Sequence, residues 1–197
     1  MFKKLLSSLA KNPWKSYAAS IGAEYVNGGF QSDRIIVYKD PTTIVISLGT
    51  NQRGNSGFRY TRFRCSYTSV NAPYFYIKTK KFKSLKNLFS KKNKERLPIQ
   101  KLYNISTPNE ELLSKFCDDD QFCYFLNNLS FFKYASEKDD GEYGPTFLAH
   151  EHQLCLELEG EIEEEYILTM GIGIILATID LFKNNGLSST EKSTINY

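Results

Sequence analysis

Histidine is scarce in this chain of 197 residues, which contains only His150 and His152, both in the segment AHEHQLC. Ser-His-Asp and Cys-His catalysis each use a histidine as the proton carrier, so the sequence supplies few candidates for either. The Gly-x-Ser-x-Gly motif, the Gly-x-Gly-x-x-Gly motif and the phosphate-binding loop are also missing. We therefore name no catalytic residue and no cofactor, and an enzyme is the function that the sequence supports least.

Cysteine is also sparse and never occurs as Cys-x-x-Cys. The four cysteines lie far apart, at Cys65, Cys117, Cys123 and Cys155. This pattern is typical of reduced, structural thiols and not of a disulfide framework. We therefore expect the protein to lie in the cytoplasm.

No apolar run is long enough to predict a secretory signal or a membrane span. The run in MFKKLLSSLAKNPW stops at Lys11, and its spacing predicts an amphipathic helix over 1–12, docked on the domain or on a membrane. In the run 166–182, fourteen uncharged residues separate Glu165 from Asp180. A helix of that length reaches about 21 Å, whereas the hydrocarbon core measures about 30 Å. We predict a buried core helix there and no transmembrane segment.

Aromatic and charged residues, in contrast, are plentiful. Fourteen Phe, thirteen Tyr and 41% hydrophobic residues indicate a globular domain, which we place at 13–186 with a frayed tail at 187–197. Charge is uneven, because 78–101 holds ten Lys or Arg and one Glu, whereas 137–165 holds eleven acids and one Lys. These blocks nearly cancel in the net charge of +3, so total charge does not indicate a nucleic-acid partner.

Alternation and turn residues predict an antiparallel sheet in the first half of the chain. A helix capped by Asn12 and ended by Gly22 comes first. The predicted elements that follow are strands at 34–39 and 42–49, a loop at 50–57, a strand at 58–67 and its antiparallel neighbour at 73–79. In the strand 58–67, Phe63 and Cys65 face one side, whereas Arg62 and Arg64 face the other.

Helices and strands alternate in the second half. The predicted elements are a helix within 80–92, a strand at 101–105, a helix capped by Ser106 or Thr107 with Pro108 in its first turn, a helix at 118–129, strands at 131–135, 146–150 and 153–160, and a long helix from about Glu161 to Lys183. Together they predict a single α+β domain. We expect a curved, mainly antiparallel sheet with N-terminal helices, a mid-chain helical pair and a long C-terminal helix packed on it.

The segments WKSYAASIGAEY and RYTRFRCSY, with a hairpin between them, resemble the layout of a bacterial family of proteins of unknown function. The strand-to-helix step from Ile105 to Leu113 and the strand that ends with Leu156 to Gly160 extend the resemblance over most of the chain. The segment PIQKLYNIS lacks a Gly-Asp-x-x-Phe-Asp stretch that the family often carries before this step. Because the family has no known activity, the resemblance implies no functional residues.

The two histidines are a weak candidate for a metal site. If 148–158 is one strand, His150 and His152 share a face and could chelate zinc, whereas Cys155 lies on the other face. Zinc would need further ligands from elsewhere. A hairpin tip in solvent, or hydrogen-bonded core histidines, explains the pair more simply. For the acidic run 118–120, helix capping is likewise a simpler explanation than Mg²⁺ binding.

The segment 80–92 combines an apolar helical stripe with many lysines. Such a helix suits an anionic membrane surface or a phosphate backbone, and the alternatives are a lid helix on the sheet or self-association of basic and acidic blocks. Arg62 and Arg64 extend the same patch if their strand face is exposed. The candidate residues for ligand or partner binding are Arg62, Arg64, Lys80, Lys81, Lys83 and Lys86.

Two functions follow from these features. The first is a non-catalytic binding or interaction domain whose basic helix or sheet face contacts a protein, a second copy or an anionic surface. The second is a small-molecule binding protein with an apolar pocket between the sheet and the C-terminal helix. Its candidate lining residues, which could instead be ordinary core, are Tyr38, Phe63, Tyr67, Tyr74 and Tyr76.

Overall fold

An antiparallel sheet of eight strands is the framework of the protein. The computed structural model describes residues 12–29, 32–53, 56–80, 102–130, 132–138 and 147–188. The strands are β1 (Glu24–Val26), β2 (Arg34–Lys39), β3 (Thr42–Arg53), β4 (Ser56–Thr68), β5 (Phe75–Thr79), β6 (Tyr103–Ser106), β7 (Phe132–Glu137) and β8 (Glu151–Glu159). The helices are α1 (Pro13–Ile21), α2 (Glu110–Asp118), α3 (Asp120–Asn127) and α4 (Glu165–Asn184). The predicted α+β class is confirmed.

The sheet has two different faces, because side chains alternate along each strand. One face, which we call the helix-covered face, carries Phe63, Leu156 and Tyr134, all fully buried. It packs against α4, where the Tyr134 hydroxyl donates a hydrogen bond of 2.7 Å to Thr178 Oγ1. Burying each large apolar side chain stabilises the fold by about 1.5–3 kcal/mol. We call the opposite face the polar face.

The strand order is β1-β2-β3-β4-β8-β7-β5-β6, so the predicted pairing of 73–79 with 58–67 is wrong. β8 pairs with β4 on one side and with β7 on the other, and β5 lies beyond β7. Alternation of apolar and polar residues identifies a strand and its buried face. It does not identify the neighbouring strand, because any strand with the same alternation could pair there.

Two segments differ from their predicted structure near strand ends. The predicted loop at 50–57 is wrong, because the β3–β4 ladder continues from Ile44–Cys65 to Arg53–Ser56. Backbone hydrogen bonds between β3 and β4 extend both strands through polar residues whose composition predicted a loop. The predicted strand at 146–150 is also wrong, since 149–150 form a turn before β8.

Short polar side chains start the first three helices. Asn12 Oδ1 accepts from the backbone N–H of Trp14 at 3.0 Å, which confirms the predicted cap of α1. The predicted cap of α2 is wrong: Asn109 Oδ1 accepts from the Leu112 N–H at 3.0 Å. Thr107 lies before the helix, where its hydroxyl donates to the carbonyl of Tyr74 at 2.9 Å and accepts from the N–H of Asn109 at 3.2 Å. Asp119 caps α3.

The long helix α4 begins at Glu165 and not at the predicted Glu161. Two hydrogen bonds hold the preceding segment extended on the sheet. The Ile162 N–H donates to Thr61 Oγ1 at 2.8 Å, and the Ile162 carbonyl accepts from Trp14 Nε1 at 2.7 Å. Both backbone groups of Ile162 are therefore committed outside the helix. Glu165 is the acidic residue in the first turn of this helix.

Among the described residues, α4 is the one helix long and apolar enough to cross a membrane by length and composition. Of its most apolar 18-residue window, 61% is buried inside the fold. The prediction of a helix packed on the sheet is confirmed, and the absence of a membrane span stays a prediction. The predicted helix over 1–12, the basic helix within 80–92 and most of the tail from 187 lie outside the described residues.

Candidate functional site

A cleft of about 480 Å³ lies at the end of the sheet where β4 meets β8. Sites for small organic ligands span about 300–1,000 Å³, so a small molecule fits this volume. The cleft is lined by Val70, Asn71, Ala72, Pro73, Tyr74, Pro108, Asn109, Lys138, Ala149, His152 and Leu187. Apolar groups thus form much of its wall, with a few polar groups among them.

Hydrogen bonds tie the cleft walls together. The Ser69 N–H donates to the His150 carbonyl at 2.8 Å, which joins the β4–β5 connection to the turn before β8. The Thr107 hydroxyl joins that same connection to the start of α2 through the Tyr74 carbonyl. At the end of α4, the Leu187 N–H donates to the Phe182 carbonyl at 2.8 Å. The cleft is therefore part of the folded framework.

His152 is the most buried polar residue of the cleft, with 3% of its surface exposed. Its Nε2 lies 3.2 Å from the Ser69 carbonyl oxygen, which only accepts, so Nε2 carries a proton. Burial lowers the pKa of His152, opposed by the bond to Ser69 and aided by Lys138 and His150. The ring is therefore neutral at pH 7, with the Tyr67 and Tyr74 rings packed around it.

The neutral His152 ring leaves Nδ1 as a bare acceptor. Nδ1 is buried and has no hydrogen-bond partner among the described residues. An unsatisfied buried polar atom costs about 1–3 kcal/mol of stability. An ordered water, a bound ion or a functional role usually explains a buried polar atom of this kind.

The polar side chains of the cleft include Asn71, Asn109, Lys138 and His152. Asn109 Oδ1 already accepts from the Leu112 N–H, so the side chain of Asn109 offers its NH₂ group. Lys138 is exposed and forms no ion pair within the described part of the chain. The lining contains one lysine and no carboxylate among the residues that the structure describes. Lys138 and the NH₂ group of Asn109 therefore offer donors to an acceptor group of a ligand.

The structure separates the two histidines that formed the candidate metal site. β8 begins at Glu151, so His150 lies in the preceding turn and is exposed, whereas His152 faces the core. The continuous strand from 148 on which the metal site depended does not form, and the alternative of two rings in solvent is wrong. The alternative of hydrogen-bonded core histidines holds for His152 alone. The described ranges contain no group of three or more His, Cys, Asp or Glu that could hold a metal ion.

A row of five charged residues and one serine crosses the polar face, one residue from each of six neighbouring strands. This charged row consists of Arg34, Ser47, Arg62, Glu157, Lys133 and Lys78. Arg62 Nη2 lies 3.0 Å from Glu157 Oε1 and 2.7 Å from the Tyr60 hydroxyl. The Arg62 side chain is only 16% exposed, so its charge is largely committed to the fold. Arg62 as a binding residue stays a prediction.

Of the other predicted binding residues, two lie on or next to the sheet, and the rest lie outside the described residues. Arg64 is half-buried and lies directly opposite the fully buried Cys155. Lys80 follows β5 and donates its backbone N–H to the Leu102 carbonyl at 3.3 Å. Lys81, Lys83 and Lys86 lie outside the described residues.

The aromatic residues proposed to line one apolar pocket do not lie together. Phe63 and Tyr67 are in the core under α4, where a Cβ on Gly171 would lie only 2.5 Å from the Phe63 ring. Tyr38 and Tyr76 are on the polar face and are exposed. Tyr74 alone lines the cleft. Phe63 and Tyr67 thus belong to the core, the alternative left open by the sequence.

Comparison with protein-family models, with curated proteins and with solved structures gives no match for this chain. The resemblance to a bacterial family stays a prediction.

Sequence reasoning missed the cleft and the role of Lys138 and Asn109 in it. The lining comes from five separate parts of the chain, from Val70 to Leu187, so no local pattern marks it. One signal was available: a histidine in a strand of alternating leucines, at His152, indicates a polar group on a buried face.

Proposed function

We propose that the protein is a non-catalytic binding domain that holds a small molecule in the cleft beside His152. The observation that carries this proposal is an open cleft of about 480 Å³ whose apolar lining includes the polar side chains of Lys138, Asn109 and His152. A mostly apolar cleft with a few convergent polar groups is the usual form of a small-molecule site. The sequence predicted an apolar pocket between the sheet and the C-terminal helix, whereas the cleft proposed here lies at the end of the sheet.

The cytoplasm is the location that fits this proposal. The four cysteines are free thiols, and two of them, Cys65 and Cys155, are buried on opposite faces of β4 and β8. Free thiols of this kind persist in a reducing compartment.

Filling the cleft tests the proposal. Ala149 lines the cleft and is exposed, so Ala149→Trp places an indole at its mouth without disturbing the core. Ala19→Trp, on the exposed side of α1, is the matched control. A fragment set of aromatic acids, amides and amines is screened by ligand-observed NMR.

We expect fragments to bind the wild type and Ala19→Trp, and to bind Ala149→Trp about tenfold more weakly. Equal binding by all three proteins, or no binding to the wild type, would contradict the proposal.

A second candidate function rests on the charged row. Lys78 and Lys133 are direct neighbours on β5 and β7, and Glu137 and Glu157, each 3.9 Å from Lys133 Nζ, compensate the charge of Lys133. The exposed Lys78 offers its charge to an anionic partner surface, in keeping with the basic block at 78–101 that it begins. The partner that we propose for this face is an anionic membrane surface.

Vesicle binding tests this second candidate. The protein should sediment with vesicles of anionic lipid and not with zwitterionic ones, and salt should reduce the binding. Lys78→Glu should weaken the binding, whereas Lys15→Glu on α1 should change it less. Equal binding to anionic and zwitterionic vesicles would exclude this second candidate function.

A further inference from the structure

The chemistry of the cleft lining indicates which class of small molecule it accepts. We infer that the ligand is a small monocarboxylic acid with an apolar body, an inference that rests on the binding function proposed above. The carboxylate lies at Lys138 and Asn109, and the apolar body lies against Val70, Pro73 and Leu187.

Charge is the first argument for an acid. Lys138 is the one charged side chain among the described residues that line the cleft. A bound carboxylate would satisfy this ammonium group, whereas a bound amine would meet repulsion from it. A single cation matches one negative charge. Phosphate esters carry close to two charges and are usually held by arginine clusters or by glycine-rich loops.

Hydrogen-bonding capacity is the second argument. The oxygen of the Asn109 amide is committed to α2, so the NH₂ group is what this side chain offers. Lys138 offers only donors. Both groups therefore complement an acceptor, and a carboxylate presents two acceptor oxygens to them.

The apolar wall is the third argument. Val70 exposes 93% of its surface at the cleft, and Pro73 and Leu187 lie on the same cleft. Covering such a residue removes apolar surface from water, which favours a ligand with a hydrocarbon or aromatic body. Tyr74, whose ring lies edge-on to His152, adds an aromatic surface to this wall.

Three probes with one body and different head groups test the inference. They are 4-phenylbutyrate, 4-phenylbutanamide and 4-phenylbutylamine, titrated at low ionic strength and followed by ligand-observed NMR. We expect the carboxylate to bind about threefold to fivefold more tightly than the amide, and the amine to bind least. Because acidic residues follow Lys138 in the sequence, the amine is an essential comparison.

Substitutions in the protein test whether Lys138 causes the preference for the carboxylate. Lys138→Met should remove the preference for the carboxylate over the amide, and Lys15→Met, at an exposed lysine outside the cleft lining, should retain it. If the amide or the amine binds the wild type as tightly as the carboxylate, and Ala149→Trp still blocks binding, the inference is overturned and the binding function stands. If the carboxylate binds Ala149→Trp as well as the wild type, both are overturned.

Discussion

Phe63 of β4 lies directly against Gly171 of α4, with no room between them for another carbon atom. A Cβ on residue 171 would lie 2.5 Å from Cζ of the Phe63 ring. Phe63 is fully buried, so its ring cannot move away into solvent. The long helix can therefore rest on the sheet at this point only because residue 171 has no side chain.

Gly171→Ala is expected to destabilise the protein by about 1–3 kcal/mol, because the new methyl group overpacks the core. This loss exceeds the gain of about 1 kcal/mol that alanine brings to a helix. Gly173→Ala is the control. Its Cβ would meet the ring of Phe125, which is only partly buried and can rotate outward. Urea unfolding measures both, and an equal loss for the two variants would contradict the expected difference.

Thr61→Val is expected to cost about 1–3 kcal/mol of unfolding free energy. The Thr61 hydroxyl donates to the Gly160 carbonyl at 3.0 Å and accepts from the Ile162 N–H, so valine leaves two backbone groups without their partner. Thr61→Ser keeps both bonds and loses one methyl group, worth about 0.8 kcal/mol. Urea unfolding should therefore rank serine above valine. The reverse order would show that the methyl group, and not the hydroxyl, matters here.

Thiol labelling should distinguish the four cysteines of the native protein. Burial raises the pKa of Cys65 and of Cys155 to about 12, so neither forms a thiolate at neutral pH. Cys117 is exposed, and Cys123 is half-buried. We expect iodoacetamide to label Cys117 first and Cys123 more slowly, and all four after unfolding in urea. Intact-mass spectrometry counts the labels, and Cys117→Ser identifies the first. Rapid labelling of Cys155 would contradict its burial.

His152 should make the stability of the protein depend on pH. Burial lowers the pKa of His152 in the folded state, so the unfolded chain takes up a proton while the folded one stays neutral. The contribution of neutral His152 to the free energy of unfolding should therefore be fully present above the ordinary histidine pKa of about 6.5. It should decline as the pH falls below that value. Urea unfolding at a series of pH values measures this slope.

Matched glutamine variants assign the slope to one ring. His152→Gln should flatten the pH dependence of stability in that window. His150→Gln, at an exposed position in the turn, should retain it. A slope that survives in His152→Gln would mean that another group titrates there.

Local patterns predicted the elements of the fold more reliably than their limits or their neighbours. Asn12 and Gly22 cap the two ends of α1 as predicted, because capping involves residues a few positions apart. The cap of α2 is Asn109 and not Thr107, whose hydroxyl instead donates to the carbonyl of Tyr74, 33 residues away. Likewise α4 starts late because Ile162 is held by Trp14 and Thr61. Partners that distant in sequence leave no local pattern.

The candidate site was less predictable than the fold for the same reason. The choice of Arg62 followed from alternation, which correctly placed it opposite the core side chains. Its pairing with Glu157 depends on β8 lying beside β4, and 95 residues separate the two. Lys138 and Asn109 join one cleft only after β7, β8 and α2 are assembled.

By itself, the sequence determined the α+β class, the two faces of the strand that carries Phe63 and Arg62, and the apolar character of the long helix. These features depend on the period of the side chains along a local element, which the order of residues fixes directly. Only the tertiary structure decided the strand order, the separate environments of His150 and His152, and the cleft. Each of these depends on which distant segments pack together, and that choice follows from the free energy of the whole core and not from any one segment.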